Sequence, residues 1–289
     1  MKRESRKALS GFLFVFPSLL FVIAFLILPL LYTFVLSLTK YNFSYDFYPK
    51  FRGILNYIDV FKDPWFVNAM KNTFIFGLAA IPLGVLLPLI AALMVDSIEG
   101  FTMPYEISIF IPIVVPISLG ALMFLLILDS SYGYITYFAE KILHLRPFNW
   151  TDNGTVTLAI VVLVSNWTLG YQIILFIGGL KMVDQELLEA AEIDGATRIQ
   201  RIVYVTLPQI RETTAVVTVF ALMRALKVFV QPMVMTDGGP MHATETLYYY
   251  MYRTAFNLYQ MGLASTMAYI LSFIILIASL INLKVFRFE

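Results

Sequence analysis

Six long apolar stretches dominate the chain, at approximately 11–38, 70–95, 106–128, 155–180, 205–235 and 261–283. About 20 apolar residues suffice for one helical crossing of a bilayer. The pattern therefore predicts an all-α integral membrane protein with six transmembrane helices. Polar punctuation separates the stretches. Residues 41–63 mix Asn, Asp, Lys, Pro and aromatics, predicting a structured loop with a short interfacial helix. Residues 130–154 form a second polar loop, carrying Glu140, Lys141, His144, Arg146 and Asp152. The window 181–201 is highly charged, and Thr236-Asp237-Gly238-Gly239-Pro240 is a turn signal that ends the fifth stretch.

Composition agrees. Of 289 residues, 60% are hydrophobic and 13% charged, against about 45–50% and about 25% in soluble domains. A formal net charge of +1 excludes a polybasic nucleic-acid binder and an acidic tail. With no cysteine there is neither a disulfide nor a thiolate site. The first apolar stretch is far longer than the roughly 7–15 residues of a signal-peptide core, so it reads as a retained span, bent or bounded by Pro17 and Pro29. The predicted division is an N-terminus at 1–10, a first span at 11–38, an external loop at 39–69, a core at 70–283 and a C-terminus at 284–289. Lys2, Arg3, Arg6 and Lys7, with Lys284 and Arg287, place both termini in the cytoplasm by the positive-inside rule. The rule is not clean, because Lys40, Lys50, Arg52 and Lys62 then fall outside, and the connection holding Asp96 and Glu99 has no cation. Pro82, Pro88, Pro112, Pro116 and Pro232 lie within spans, and read as kinks in a packed bundle or as hinges of a protein that opens to two sides.

Enzyme readings fail for lack of parts. There is no G-x-x-x-x-G-K-[ST] loop for nucleotide phosphates, no H-E-x-x-H and no G-x-S-x-G. His144 and His242 fall in loops and read as solvated.

The window from Lys181 to Arg198 is richer. Asp184 is an N-cap acceptor, Gln185 to Ile193 are helix formers with acid in the first turn, and Leu187, Ala190 and Ala191 make one small apolar face with Leu188 beside it. Gly195 can supply the left-handed residue that ends the helix. A second short helix runs from about Ala196 to Pro208. The result is a helix–Gly–helix elbow, at about 181–208 between spans four and five. Its surface is more acidic than basic, unlike a typical membrane-surface helix, so a protein partner is favoured.

Glu189-Ala190-Ala191-x-x-x-Gly195, with Leu207-Pro208 twelve and thirteen residues after the glycine, resembles the EAA loop of permease subunits of binding-protein-dependent ABC importers. Thr206 before Leu207-Pro208, the Gly-Gly-Pro turn, Thr244-Glu245-Thr246-Leu247 and Trp167-x-x-Gly170 narrow the resemblance to the carbohydrate permeases of the maltose and glycerol-3-phosphate type, over roughly residues 70–283. Val183-Asp184 stands where that pattern usually has Ile-Pro, and Val205 where it has isoleucine. The resemblance implies a subunit without its own ATPase site, in a bacterial or archaeal cell membrane. Its implied partners are a second permease subunit, two ATPase copies that bind ATP and Mg, and an extracellular solute-binding protein. The elbow, with Leu187, Glu189, Ala190, Ala191, Asp194 and Gly195, would then seat in a cleft on an ATPase. Nucleic acid has no place in this scheme.

For the substrate path, polar residues inside spans are the candidates: Asn166, Trp167, Tyr171 and Gln172 in the fourth, Arg224 and Lys227 in the fifth. Trp167 and Tyr171 serve equally as packing residues. Arg224 and Lys227 read either as a structural pair with carboxylates or backbone carbonyls, or as a cationic lining that selects an anionic sugar. Asn72 and Thr73 sit at the edge of the second stretch. A permease for a non-sugar solute and a self-sufficient secondary transporter are the alternatives, the latter disfavoured because acidic residues cluster in loops.

Overall fold

The computed structural model describes residues 2–98, 103–142, 144 and 149–286. The side chains of Lys2, Arg3, Arg6 and Lys7, together with Glu99, Arg146 and Arg287, lie outside the described residues. The elements run, in order, α1 (Lys2–Val22), a π turn (Ile23–Ile27), α2 (Leu28–Ser37), β1 (Thr39–Lys40), β2 (Lys50–Phe51), α3 (Leu55–Lys62), α4 (Pro64–Asp96), α5 (Met103–Val114) and α6 (Ile117–Ile127). They continue with α7 (Tyr134–Lys141), α8 (Gly154–Ser165), α9 (Gly170–Leu180), α10 (Gln185–Ile193), α11 (Arg198–Arg201), a second π turn (Ile202–Thr206) and α12 (Leu207–Gln209). The last are α13 (Arg211–Leu226), α14 (Val230–Thr236), α15 (Leu247–Tyr252), a third π turn (Arg253–Asn257) and α16 (Met261–Phe286).

Two units emerge, one comprising residues 1–63 and 251–270, the other 64–250 and 271–289. In the first, α1 and α2 form one continuous helical rod around the π turn. Pro29 removes an amide donor and crowds the carbonyl four residues back. Widening the preceding turn absorbs that defect without breaking the rod. The polar loop that follows is more structured than a loop with one helix. Thr39 pairs with Phe51 and Lys40 with Lys50 in a two-stranded antiparallel ribbon, so the fold is not helical throughout. Asn56, buried on α3, donates to the carbonyls of Ser37 at 2.9 Å and Thr39 at 2.7 Å. Arg52 pairs with Asp59 at 2.7 Å, and Thr266 of α16 donates to the same Ser37 carbonyl at 3.0 Å.

In the second unit, α4 packs lengthwise against α9 and α13, and α6 packs against α14. One apolar cluster joins Ala92, Phe176, Ile177, Leu180, Ile210 and Val217; a second joins Phe76, Ala80, Val161, Val162, Ala225 and Val228. The helix α4 begins at Pro64, ahead of the expected loop end at residue 69, because proline is well placed in a first helical turn. Pro82 and Pro88 leave it unbroken.

Among the described residues, three helices are long and apolar enough to cross a membrane by themselves: Gly11–Ser37, Pro64–Asp96 and Met261–Phe286. The other three apolar stretches are each split into a bent pair: α5 with α6 at 93°, α8 with α9 at 53°, and α13 with α14 at 40°. Counting each pair as one span gives six. Among the prolines within spans, Pro116 stands at a break, as the N-cap of α6. The breaks at 166–169 and 227–229 contain no proline. They fall instead where Asn166 and Lys227 end their helices.

Candidate functional site

Two places in the second unit combine exposure, polar chemistry and defined geometry. The first is the elbow between α9 and α13. Asp184 caps α10 by accepting from the Glu186 amide at 2.9 Å, and its own amide donates to Gln209 Oε1 at 2.9 Å. At the other end Gly195 stands at φ +79°. The Ala196 amide reaches back to the Ala191 carbonyl at 2.9 Å and the Gly195 amide to Glu192 at 3.0 Å, the paired bonds of a Schellman stop. A new helix begins soon after. Thr197 Oγ1 accepts from the Gln200 amide while Gln200 Oε1 accepts from the Thr197 amide at 2.7 Å, a reciprocal capping box. Arg201 closes the angle on Glu192 at 2.5 Å.

Every residue of α10 is at least partly exposed. Leu187, Glu189, Ala190, Asp194 and Gly195 lie on the surface, and Ala191 is half-buried. Leu188, expected beside that face, turns instead into the apolar cluster around Phe176. Ile193 and Ile199, on either side of the bend, are 86% and 74% exposed. The second helix runs past Arg201 through the π turn into Leu207-Pro208. As before Pro29, the widened turn precedes the proline.

The second place is a cavity of 190 Å³ lined by Phe76, Ala80, Ile117, Ser165, Asn166, Thr168, Arg224, Lys227, Phe229, Gln231 and Tyr248, among others. Arg224 Nη2 donates to Asn166 Oδ1 at 2.7 Å and Nη1 to the Thr168 carbonyl at 3.2 Å. Asn166 Nδ2 in turn donates to the Val162 carbonyl at 2.8 Å. Lys227 is the C-terminal cap residue of α13, exposed to the cavity.

Of the six path residues, Asn166, Arg224 and Lys227 meet at this cavity; the others do not line it. Trp167 packs its ring against Gly120 and edge-on to Phe124 at 5.7 Å. Tyr171 sets its ring against Phe220 at 5.3 Å. Gln172 is buried, and its Oε1 makes no hydrogen bond among the described residues.

A profile of the family described as "Binding-protein-dependent transport system inner membrane component" matches residues 65–287. The chain belongs to this family. It is 32% identical over 280 residues to "Probable ABC transporter permease protein YurN" of Bacillus subtilis (strain 168), covering 96% of this chain and 95% of that one. It is 30% identical over 294 residues to "Trehalose/maltose transport system permease protein MalF" of Thermococcus litoralis, covering 100% and 97%. Its fold is that of a chain in the crystal structure of a bacterial alginate ABC transporter in complex with alginate pentasaccharide-bound periplasmic protein, with TM-score 0.85 and 20% identity over 99% of this chain and 97% of that one. The protein is a membrane-embedded permease component of an ABC transport system.

The permease contains a polar cluster that sequence reasoning passed over. Asn72 and Thr73, set aside as edge residues, are buried two turns inside α4. Asn72 donates to the carbonyls of His242 at 2.8 Å and Glu245 at 3.1 Å, and Thr73 accepts the Leu247 amide at 2.7 Å. Thr246 donates to the Val228 carbonyl at 2.8 Å, tying the loop after the Gly-Gly-Pro turn to the α13–α14 break. His242 is not simply solvated. Its Nδ1 meets the fully buried carboxylate of Glu245 at 2.5 Å, and its ring lies tilted at 43° against Trp65, the ring centres 4.1 Å apart. The signal available was the run of three polar residues, Thr244-Glu245-Thr246, so close to an apolar helix; burial alone reveals its partners. Thr197-x-x-Gln200 is the sequence signature of the capping box seen there.

Proposed function

We propose that this permease is the membrane subunit of an ATP-driven importer that passes a carbohydrate delivered by an extracellular solute-binding protein. The observation that carries the reading is the exposed elbow, capped at Asp184, Gly195 and Thr197, within a chain of this family. In this reading the six apolar segments each cross the membrane once, and both termini and the elbow face the cytoplasm. The elbow seats on one of two ATPase subunits, which bind ATP and Mg, and a second permease completes the pathway. Leu187, Glu189, Ala190, Ala191 and Asp194 form the docking face. Exposed Ile193 and Ile199 add apolar area on either side of the bend. Relatives named for trehalose, maltose and other saccharides support a sugar cargo.

On this reading, Gly195, at φ +79°, sets the turn between the two helices of the elbow. A β-branched side chain at φ +79° is strained by about 1–2 kcal/mol, and the Schellman stop loosens. Gly195→Val is expected to insert into the membrane normally and to leave ATP hydrolysis by the assembled complex within about twofold. Sugar uptake in vesicles should fall at least about tenfold, a change equivalent to about 1.4 kcal/mol. Normal uptake by the variant would overturn the coupling role of the elbow.

A further inference from the structure

All three bent helix pairs contribute to the 190 Å³ cavity: Ile117 from α6, Asn166 and Thr168 from the α8–α9 break, Lys227 and Phe229 from the α13–α14 break. Non-helical backbone at membrane depth is tolerated where it is packed in protein or lines a wet space. The charge in this space is one-sided. Its lining includes two cations, Arg224 and Lys227, and no carboxylate, and neither cation belongs to an ion pair among the described residues.

The two cations are not equivalent. Arg224 is held in place by Asn166 and the Thr168 carbonyl. Gly84 of α4 leaves it room, since a Cβ there would stand 3.2 Å from Nη2 and 3.2 Å from the Ala221 methyl. Lys227, one turn further on, is exposed, and its ammonium has no hydrogen-bond partner among the described residues. A neutral sugar would be served by Ser165, Gln231, Tyr248 and the Phe229 ring, all in the same lining. It gives no reason for a charge within a span, where even insertion scales put the cost of a lysine at about 2.5–3.5 kcal/mol.

We propose that Lys227, with Arg224 as the positioning residue behind it, selects a saccharide carrying an anionic group, such as the carboxylate of a uronic acid. This deepens the carbohydrate-importer reading and rests on it. A lysine is a mobile point charge, so it engages a carboxylate or a phosphoester without demanding one geometry.

The test uses the complete complex in ATP-loaded vesicles with its own solute-binding protein. Three probes are compared: a uronic-acid oligosaccharide, the same oligosaccharide with its carboxyl groups reduced to alcohols, and a glycerol phosphoester. Wild type and Lys227→Gln share one binding protein, so its preference cancels in their ratio. The substitution should lower uptake of the transported anion about tenfold and of the neutral sugar less than twofold, while Lys227→Arg keeps the preference. Equal losses on charged and neutral probes would assign Lys227 to a structural pairing, with a partner carboxylate for instance, and overturn the proposal. So would no loss on either. Uptake of the neutral sugar at the same rate as the charged ones would remove the anion selectivity and leave the importer reading intact. A wild-type complex that hydrolyses ATP in response to some other solute, but to none of these and to no further saccharide, would overturn both.

Discussion

Single residues do most of their work here by ending helices cleanly. Asp184, Gly195 and Thr197 satisfy the orphan amides and carbonyls at three helix ends within fourteen residues. The elbow therefore keeps its angle although α10 buries none of its residues. Thr197→Ala removes the hydroxyl that accepts the Gln200 amide and should cost about 0.5–2 kcal/mol locally. Amide hydrogen exchange over residues 198–201 is expected to speed up by roughly 3- to 30-fold, with the spans unchanged. Exchange that is unaltered would show that Arg201–Glu192, and not the cap, holds the second helix. The residue scale is also where sequence reading did best. An acid before a helix and a glycine after one act through local backbone chemistry, so their roles at Asp184 and Gly195 needed no knowledge of the fold.

At the scale of elements, long helices have been traded for broken ones where polar side chains must be placed. The helix α4, with two prolines, runs on without interruption, whereas α8–α9 and α13–α14 break without any. What the breaks have in common is a polar group that needs a partner across the bundle: Asn166 takes Arg224, and the loop following α14 returns Thr246 to the Val228 carbonyl. The same loop is pinned to α4 through Thr73, whose hydroxyl accepts the buried Leu247 amide at 2.7 Å. Thr73→Val keeps the shape and deletes the acceptor, leaving that amide unsatisfied at a cost of about 1–3 kcal/mol. Thermal unfolding of the purified complex in detergent should shift down by a few degrees, and Thr73→Ser should restore it. A Thr73→Val variant as stable as wild type would mean that the loop holds through Asn72 alone.

For the molecule as a whole, the division of labour is the main consequence of the family assignment. The chain carries no phosphate-binding loop, and its apolar elbow surface is exposed by itself. On the proposed reading, separate ATPase subunits supply the energy and cover that surface. The purified permease alone in vesicles is expected to accumulate no sugar when ATP is added. Adding the second permease, the ATPases and the binding protein should restore accumulation, measured with radiolabelled sugar. Accumulation by the single chain would remove the basis of the coupled importer.

What the amino-acid order determined by itself is whatever depends on neighbours along the chain: six apolar runs, each about long enough for a bilayer, and an elbow with its caps. What only the tertiary structure decided is which polar groups within those runs share an environment. Trp167 and Tyr171 look from sequence like companions of Asn166, yet they pack on Gly120, Phe124 and Phe220. Arg224, 58 residues away, is the group that Asn166 meets. Asn72 and Thr73 likewise meet the loop of His242 and Glu245 across 170 to 174 residues of chain. The physical reason is that a buried polar group must find its hydrogen-bond partner wherever packing brings one, and nothing in the local pattern says where that is.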